Sequence, residues 1–197
     1  ITRETAEDIF RSGVDAISAG WGNDTISAGA GNDTIAAGGG TNTVRGGQGS
    51  DQITNDQWSD DSYVFARGDA RGLVPVNGAP GQTLEVDGHD VVLDIGGQDR
   101  LTLEDVQSDQ LWFSQMGNDL EVSIIGTHDH ITLQNWYLGN QYHIEQFKSS
   151  DGKVLLDSQV QALVQAMAAF SPPAAGQTTL TASMAATLNP VLAANWH

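Results

Sequence analysis

Apolar residues recur every nine positions across the first third of the chain. Ile17, Ile26, Ile35, Val44 and Ile53 stand at this spacing, each two residues after an aspartate or an asparagine. A spacing of nine is neither a helical period nor a simple strand alternation; it divides into about six residues of turn and about three of strand. Because such short strands cannot bury a face alone, the pattern predicts stacked coils with the apolar column inside.

The segments between these strands hold glycine and oxygen-bearing side chains at fixed places. Glycine suits a turn with positive φ and lets backbone carbonyls converge. Carbonyls that converge beside carboxylates form a cation site, and hard oxygen ligands in a flexible loop favour calcium over magnesium. The predicted calcium-binding residues are Asp15, Gly20, Gly22, Asp24, Gly29, Gly31, Asp33, Gly38, Gly40, Asn42, Gly47, Gly49, Asp51, Asp60 and Asp61.

Two faces with unequal charge follow from this register. If two nonapeptides make one coil, turns on one side of the stack are eighteen residues apart, and Asp15, Asp33 and Asp51 share one side. The other side holds Asp24, then Asn42, then the irregular turn at Asp60 and Asp61, which arrives one residue late and lacks the glycines. Since fewer charged ligands weaken calcium binding, we predict the weaker site at Asn42.

The nonapeptide Gly-Gly-x-Gly-x-Asp-x-apolar-x resembles the RTX (repeats-in-toxin) family. The resemblance implies an all-β fold with a right-handed parallel β-roll, in which two nonapeptides make one coil and Ca²⁺ lies between stacked turns. We assign the roll to residues 13–65. Residues 1–12, with a helical pattern from Thr5 to Arg11, form a lead-in that shields the first coil.

A β-rich region with one helix is predicted after the repeats. Residues 67–82 are turn-rich, hairpin turns are predicted at 116–119 and 150–153, and a helix is predicted over 158–170. The predicted strands are Thr83–Val86, Val91–Ile95, Arg100–Leu103, Gln110–Ser114, Leu120–Ile125, His130–Gln134 and His143–Lys148. The stretch at residues 109–137 resembles the module that follows the last repeats in many RTX proteins, and we assign residues 66–170 to a β-rich capping region. Its aromatic residues are expected to pack a cap for the roll, namely Trp112, Phe113, Trp136, Tyr137 and Phe147.

The tail, residues 171–197, is rich in Ala, Thr and Leu and nearly uncharged. Its ending resembles the uncleaved carboxyl-terminal export signal of proteins secreted through a type I channel. We therefore expect a flexible tail that binds the type I secretion machinery, and an extracellular location. The chain has no initiator Met, and we interpret it as the carboxyl-terminal part of a longer protein whose upstream domains meet a host-cell or surface target.

Composition narrows the set of partners. The net charge is -17, with 8 Lys and Arg against 25 Asp and Glu, so nucleic acid and anionic membranes are poor partners and cations are good ones. Cysteine is absent, which excludes disulfides and thiolate metal sites. No apolar run reaches the length of a membrane-spanning helix.

Motifs for catalysis are not found in the sequence, and we expect any catalytic activity to lie upstream. His128-Asp129-His130 offers two imidazoles without an evident third ligand, and His89-Asp90 is similar. Arg67-Gly68-Asp69 is the tripeptide that integrins recognise, but we interpret it as an ordinary turn. Two functions remain: a calcium-responsive folding and export module of a toxin or adhesin, or a module that recognises a surface sugar or protein.

Overall fold

The structure is a computed structural model that describes residues 13–55, 59–69, 71–75, 83–87 and 89–197. The predicted lead-in at 1–12 lies outside the described residues. The first six strands alternate between two parallel sheets, so that one coil contributes one strand to each. They are β1 (Ala16–Ser18), β2 (Thr25–Ala30), β3 (Thr34–Ala36), β4 (Thr43–Gln48), β5 (Gln52–Thr54) and β6 (Ser62–Ala66).

An antiparallel hairpin interrupts the coils after the repeats. It consists of β7 (Arg71–Pro75) and β8 (Thr83–Asp87), so the stretch predicted as turns contains a strand at 71–75. The chain then returns to the roll: β9 (His89–Leu93) pairs in parallel with β5, and β10 (Arg100–Glu104) pairs in parallel with β6. Both sheets therefore continue past the boundary predicted at residue 65.

The remaining strands complete the two sheets. A hairpin with Gly117-Asn118 at its tip joins β11 and β12, while β13 lies parallel to β9 and β14 lies parallel to β10. The hairpin of β14 and β15 turns at residues 149–153, as predicted. These strands are β11 (Leu111–Met116), β12 (Asp119–Ile124), β13 (His130–Leu133), β14 (Gln146–Lys148) and β15 (Val154–Leu156).

The strand predicted over His143–Lys148 begins only at Gln146. A short 3-10 helix at Asn140–Tyr142 precedes it. The His143 ring stacks on Trp136 at 4.0 Å between ring centroids, and its Nδ1 lies 3.1 Å from a carboxylate oxygen of Asp157. These contacts hold His143 outside the sheet, and strand pairing starts after it.

One apolar column runs through each sheet. In the first, Ile17, Ile35 and Ile53 are direct neighbours on successive strands, and Val92 and Leu133 continue the column. The second column runs on from the repeats into the cap and consists of Ile26, Val44, Tyr63, Leu101 and Phe147. The predicted repeat core and the predicted cap therefore share one continuous interior.

Two helices cover the end of the stack. Helix α1 (Asp157–Met167) matches the helix predicted over 158–170 but ends three residues earlier, and it buries Val160, Leu163, Val164 and Met167. Helix α2 (Ala182–Asn195) packs against α1. Neither helix is long and apolar enough to cross a membrane, within the described part of the chain.

The tail differs from the flexible segment expected from its sequence. Leu188, Leu192 and Trp196 are buried, and the backbone of His197 exchanges two hydrogen bonds with Val154 beside β15. Ala and Leu have high helix propensity. Burial of Leu188, Leu192 and Trp196 against the cap stabilises the helix further. The expectation of a flexible tail was wrong because composition alone does not show which surface is available to cover it.

Trp196 provides a test of this packing. It is 4% exposed, whereas Trp21 is 91% exposed in the repeats. In saturating calcium, Trp196→Ala should lower the free energy of unfolding by about 3–5 kcal/mol, because a large buried ring is lost. The matched variant Trp21→Ala should change it by no more than about 0.5 kcal/mol. Urea unfolding followed by circular dichroism measures both, and equal values for the two variants would contradict the packed tail.

Candidate calcium centre

Two ladders of side-chain oxygens hold the coils in register. In the first, the backbone N–H of Asp15 donates to Oδ1 of Asp33, 2.8 Å away, and the N–H of Asp33 donates to Oδ1 of Asp51, also 2.8 Å away. In the second, the N–H of Asp24 donates to Oδ1 of Asn42 at 3.0 Å. Each step spans eighteen residues, which confirms the assignment of the predicted acids to two sides.

The second oxygen of several ladder carboxylates has no hydrogen-bond donor. Oδ2 of Asp24, Asp33 and Asp51 is buried without such a partner. An ionised carboxylate is costly to bury unless an opposite charge or donors compensate it. Buried oxygens of this kind suit a hard cation, and Ca²⁺ takes six to eight oxygen ligands from carboxylates and carbonyls. Asp24, Asp33 and Asp51 are therefore the side chains that would hold calcium in the repeats.

Glycine is required where the coils touch. Gly31 and Gly49 have φ of 139° and 136°, and a Cβ on either would overlap the carbonyl oxygen of the glycine eighteen residues earlier. The same close approach joins Gly38 to Gly20, Gly40 to Gly22, and Gly47 to Gly29. The predicted glycine positions thus bring backbone carbonyls against the next coil, although their coordination of calcium stays a prediction.

Asn42 departs from the aspartates of its ladder in one respect. Its Oδ1 accepts from Asp24, but its Nδ2 donates to the carbonyl oxygens of Gly38 and Gly40 at 3.3 and 3.4 Å. An amide N–H therefore occupies the position that an unpaired carboxylate oxygen takes in Asp33 and Asp51. The Asn42 turn satisfies its own carbonyls, and this gives a structural reason for the weaker site predicted there.

The structure separates the roles of Asp60 and Asp61. Asp61 is buried and joins the ladder, since its Oδ1 accepts the backbone N–H of Asn42 at 2.7 Å. Asp60 is exposed, and its Oδ1 accepts the N–H of Gln98 at 2.9 Å. Asn23 and Asn32 make the equivalent outer contacts in the repeats. Asp60 thus belongs to an outer hydrogen-bond ladder and Asp61 to the inner one, and calcium coordination by either residue stays a prediction.

Burial shapes the electrostatics of the first ladder. Burial is the main cause that raises the pKa of Asp51 to about 7; the charges of nearby Asp33 and Asp69 add to the effect, and a backbone hydrogen bond from Asp33 opposes it. Burial likewise raises the pKa of Asp90 to about 8, with Asp51, Asp69 and Asp129 adding to the effect. These raised pKa values reflect the cost of burying carboxylate charge that no cation compensates.

Both ladders extend beyond the residues predicted from the repeat. The N–H of Asp51 donates to Oδ1 of Asp90 at 2.9 Å, the N–H of Asp61 donates to Oδ1 of Asp99 at 2.7 Å, and the N–H of Asp99 donates to Oε2 of Glu145 at 2.6 Å. The sequence carried a signal for two of them. Gly88-His89-Asp90-Val91-Val92 and Gly97-Gln98-Asp99-Arg100-Leu101 repeat the Gly-x-Asp-x-apolar order, but their spacing from the repeats is broken.

The tripeptide and the histidine motifs singled out in the sequence make contacts within the folded chain. Asp69 is buried, and its carboxylate lies 3.2 Å from the guanidinium of Arg45, so the Arg67-Gly68-Asp69 tripeptide does not present its acid to a partner. The rings of His89 and His130 stack at 5.0 Å between centroids on neighbouring strands. Oδ2 of Asp129 accepts the N–H of Gly68 at 2.9 Å.

Stacked parallel coils whose turns bring buried carboxylates and glycine carbonyls together define the class of calcium-binding β-roll proteins. Residues 18–53 match the family described as RTX calcium-binding nonapeptide repeat (4 copies). Residues 119–159 match the haemolysin-type calcium binding protein related domain. The repeat block of this chain is an RTX repeat block, and its ligand is Ca²⁺.

Asn42→Asp should strengthen calcium binding. The substitution keeps the oxygen that accepts from Asp24 and replaces the donating amide by a second carboxylate oxygen facing the Gly38 and Gly40 carbonyls. Added ligand charge tightens calcium sites, so we expect the calcium midpoint of folding to fall by about three-fold or more. The measurement is a calcium titration followed by circular dichroism.

Asn32→Asp is the matched control for Asn42→Asp. It adds the same charge one nonapeptide earlier, at an exposed outer position whose Oδ1 accepts the N–H of Ser50. The control should leave the midpoint nearly unchanged. A midpoint shifted equally by both variants would mean that net charge, and not the ladder position, controls the affinity.

Proposed function

We propose that the chain is a calcium-responsive folding module at the carboxyl-terminal end of a larger secreted protein, a toxin or an adhesin. It stays disordered where calcium is scarce and folds when calcium binds outside the cell. The observation that carries the proposal is the column of buried carboxylates whose second oxygens have no donor. Burial of these oxygens is costly unless a charge or a donor compensates them, and a bound cation supplies that compensation.

Two costs keep the chain unfolded at low calcium. The stacked acids repel one another, and the chain as a whole has a net charge of -17. The glycine-rich turns also lose more backbone entropy on ordering than other residues would. A ligand that binds only the folded state shifts the balance by mass action, and extracellular calcium modules work at roughly 10⁻⁴ to 10⁻³ M.

Folding that depends on calcium would serve export through a type I channel. An unfolded chain passes a narrow channel, and calcium on the far side then drives folding. We propose that residues 171–197 carry the export signal. In the folded chain Leu188, Leu192 and Trp196 of this tail are buried, so the signal is presented to the secretion machinery before folding.

The alternative function, recognition of a sugar or protein on a surface, would need exposed aromatic side chains on one face of the cap. Trp112, Phe113, Trp136 and Phe147 are buried, and Tyr137 is half-buried. These positions favour the folding module over a recognition module in the cap. We propose no catalytic role for this segment and place any catalysis or target binding in upstream domains.

Removal of calcium tests the folding switch. In a chelator, circular dichroism of the full chain should show largely disordered repeats, and millimolar calcium should produce the β-sheet signal in one transition. Magnesium at the same concentration is the control and should not reproduce the change, because its octahedral preference does not suit a flexible oxygen cage. A β-sheet spectrum that is complete in chelator would refute the proposal.

A secretion assay tests the export signal separately. Removal of residues 174–197 should abolish secretion through a type I channel, because the signal is lost. Trp196→Ala loses much of the same cap packing but keeps the tail, so it should still be secreted. If both chains are retained in the cell to the same extent, cap folding and not the tail sequence explains the result.

A further inference from the structure

Three buried carboxylates meet where the chain re-enters the roll after the β7–β8 hairpin. Asp61 lies just before β6, Asp94 just after β9, and Asp99 just before β10. One ligand atom from each of them falls within 4.8 Å of the others, the only such acidic group among the described residues. All three are at most 3% exposed. The cluster is outside the residues matched by the nonapeptide repeat.

Hydrogen bonds satisfy both carboxylate oxygens of Asp61, but only one oxygen each of Asp94 and Asp99. Asp61 is complete: its Oδ1 accepts from Asn42, and its Oδ2 accepts from Asn55 Nδ2 at 2.8 Å and from the Ser59 hydroxyl at 3.1 Å. Asp94 Oδ1 accepts the Tyr63 hydroxyl at 2.8 Å, and Asp99 Oδ1 accepts the N–H of Asp61. The structure therefore fixes the orientation of every carboxylate in the cluster.

Oδ2 of Asp94 and Oδ2 of Asp99 are buried without a hydrogen-bond partner. Two acceptor oxygens without a donor cannot stabilise each other, and an uncompensated pair of charges in the interior costs several kcal/mol. Either a cation or a proton shared between the two groups must compensate them. Burial raises the pKa of both Asp94 and Asp99, and the proximity of Asp94 also raises the pKa of Asp99. Both shifts reflect the absence of a group that compensates the buried carboxylates.

A backbone oxygen lies close to this pair. A Cβ on Gly97 would overlap the Ser59 carbonyl oxygen and would come to 2.9 Å from Oδ2 of Asp99, so both oxygens lie against the Gly97 backbone. Carboxylate and carbonyl oxygens that converge in a loop are the ligands that calcium prefers. The arrangement has no imidazole or thiolate, which transition metals would select.

We propose that Asp61, Asp94 and Asp99 form a calcium site separate from those of the nonapeptides, at the junction between the roll and its cap. Asp94 and Asp99 supply the oxygens that accept no hydrogen bond. Asp61 supplies negative charge from a side chain that its hydrogen bonds hold in place. A cation here ties the turn at 59–61 to the loop at 94–99, so the residues after the hairpin insertion are held in register with the repeats. The site extends the proposed function, with which it shares the requirement that the folded chain binds calcium.

The test is the calcium stoichiometry of the full chain carrying Asp94→Asn, measured by isothermal titration calorimetry. Asn keeps the oxygen that accepts from Tyr63 and removes the charge at Oδ2. We expect one calcium ion fewer per chain than in the wild type, with the remaining sites retained. The matched control Asp109→Asn removes the same charge from an exposed position and should keep the wild-type stoichiometry.

A second measurement uses Tb³⁺ in place of Ca²⁺ and does not depend on altering a ligand. The Tyr63 hydroxyl touches Asp94, so Tyr63 should sensitise the luminescence of a Tb³⁺ ion bound there. Tyr63→Phe should remove that part of the tyrosine-sensitised luminescence while leaving the calcium stoichiometry unchanged. This variant keeps the proposal testable if Asp94→Asn does not fold.

The outcomes separate this site from the proposed function. Unchanged stoichiometry in Asp94→Asn, or unchanged Tb³⁺ luminescence in Tyr63→Phe, would overturn the junction site and leave a shared proton as the compensation for the pair. Calcium-induced folding of the wild type would survive such a result. A wild-type chain that binds no calcium would overturn both proposals together.

Discussion

The carboxylates of Asp33 and Asp51 each have two oxygens with opposite consequences, and the architecture depends on this division. One oxygen accepts the backbone N–H of the preceding coil, as Asp33 does for Asp15, and so fixes the register between coils. The other is buried without a donor in Asp33 and Asp51. The interaction that aligns the stack therefore also places negative charge in its interior, and a cation is the compensation that the geometry accommodates.

The same ladders join the repeats to the cap. Asp90, Asp99 and Glu145 continue the hydrogen bonding of the nonapeptide acids, while Val92, Leu101 and Phe147 continue their apolar columns. Since the two parts share sheets and core, calcium binding in the repeats would stabilise the cap as well. Arg45 adds a link, because its guanidinium lies within 3.2 Å of both Asp69 and Glu104.

Apolar packing of two helices closes the carboxyl-terminal end of the stack. Helix α1 covers the strands of the cap, and α2 with Trp196 covers α1, so the open cross-section of the roll is protected at this end. A repeat array needs such a cover, because its last coil otherwise exposes strand edges and apolar side chains. The tail therefore contributes to the folded structure whatever role it has in export.

The sequence determined the parts that depend on a short, regular period. The spacing of nine assigned Ile17 to Ile53 to the core, and local signals placed the Gly117-Asn118 turn and helix α1. The family pattern also indicated calcium. These features are local or strictly repeated, so the place of each residue in the fold can be inferred from its neighbours in the sequence.

Only the tertiary structure decided the contacts made across irregular spacing. The hairpin insertion separates Asp99 from Asp61 by 38 positions, so no period connects them, although their backbone and side chain are hydrogen bonded. Likewise, the sequence could not choose between Asp60 and Asp61, since one residue of slip turns a side chain from the interior to the surface. The helix of the tail depended on the surface that α1 provides, which composition does not encode.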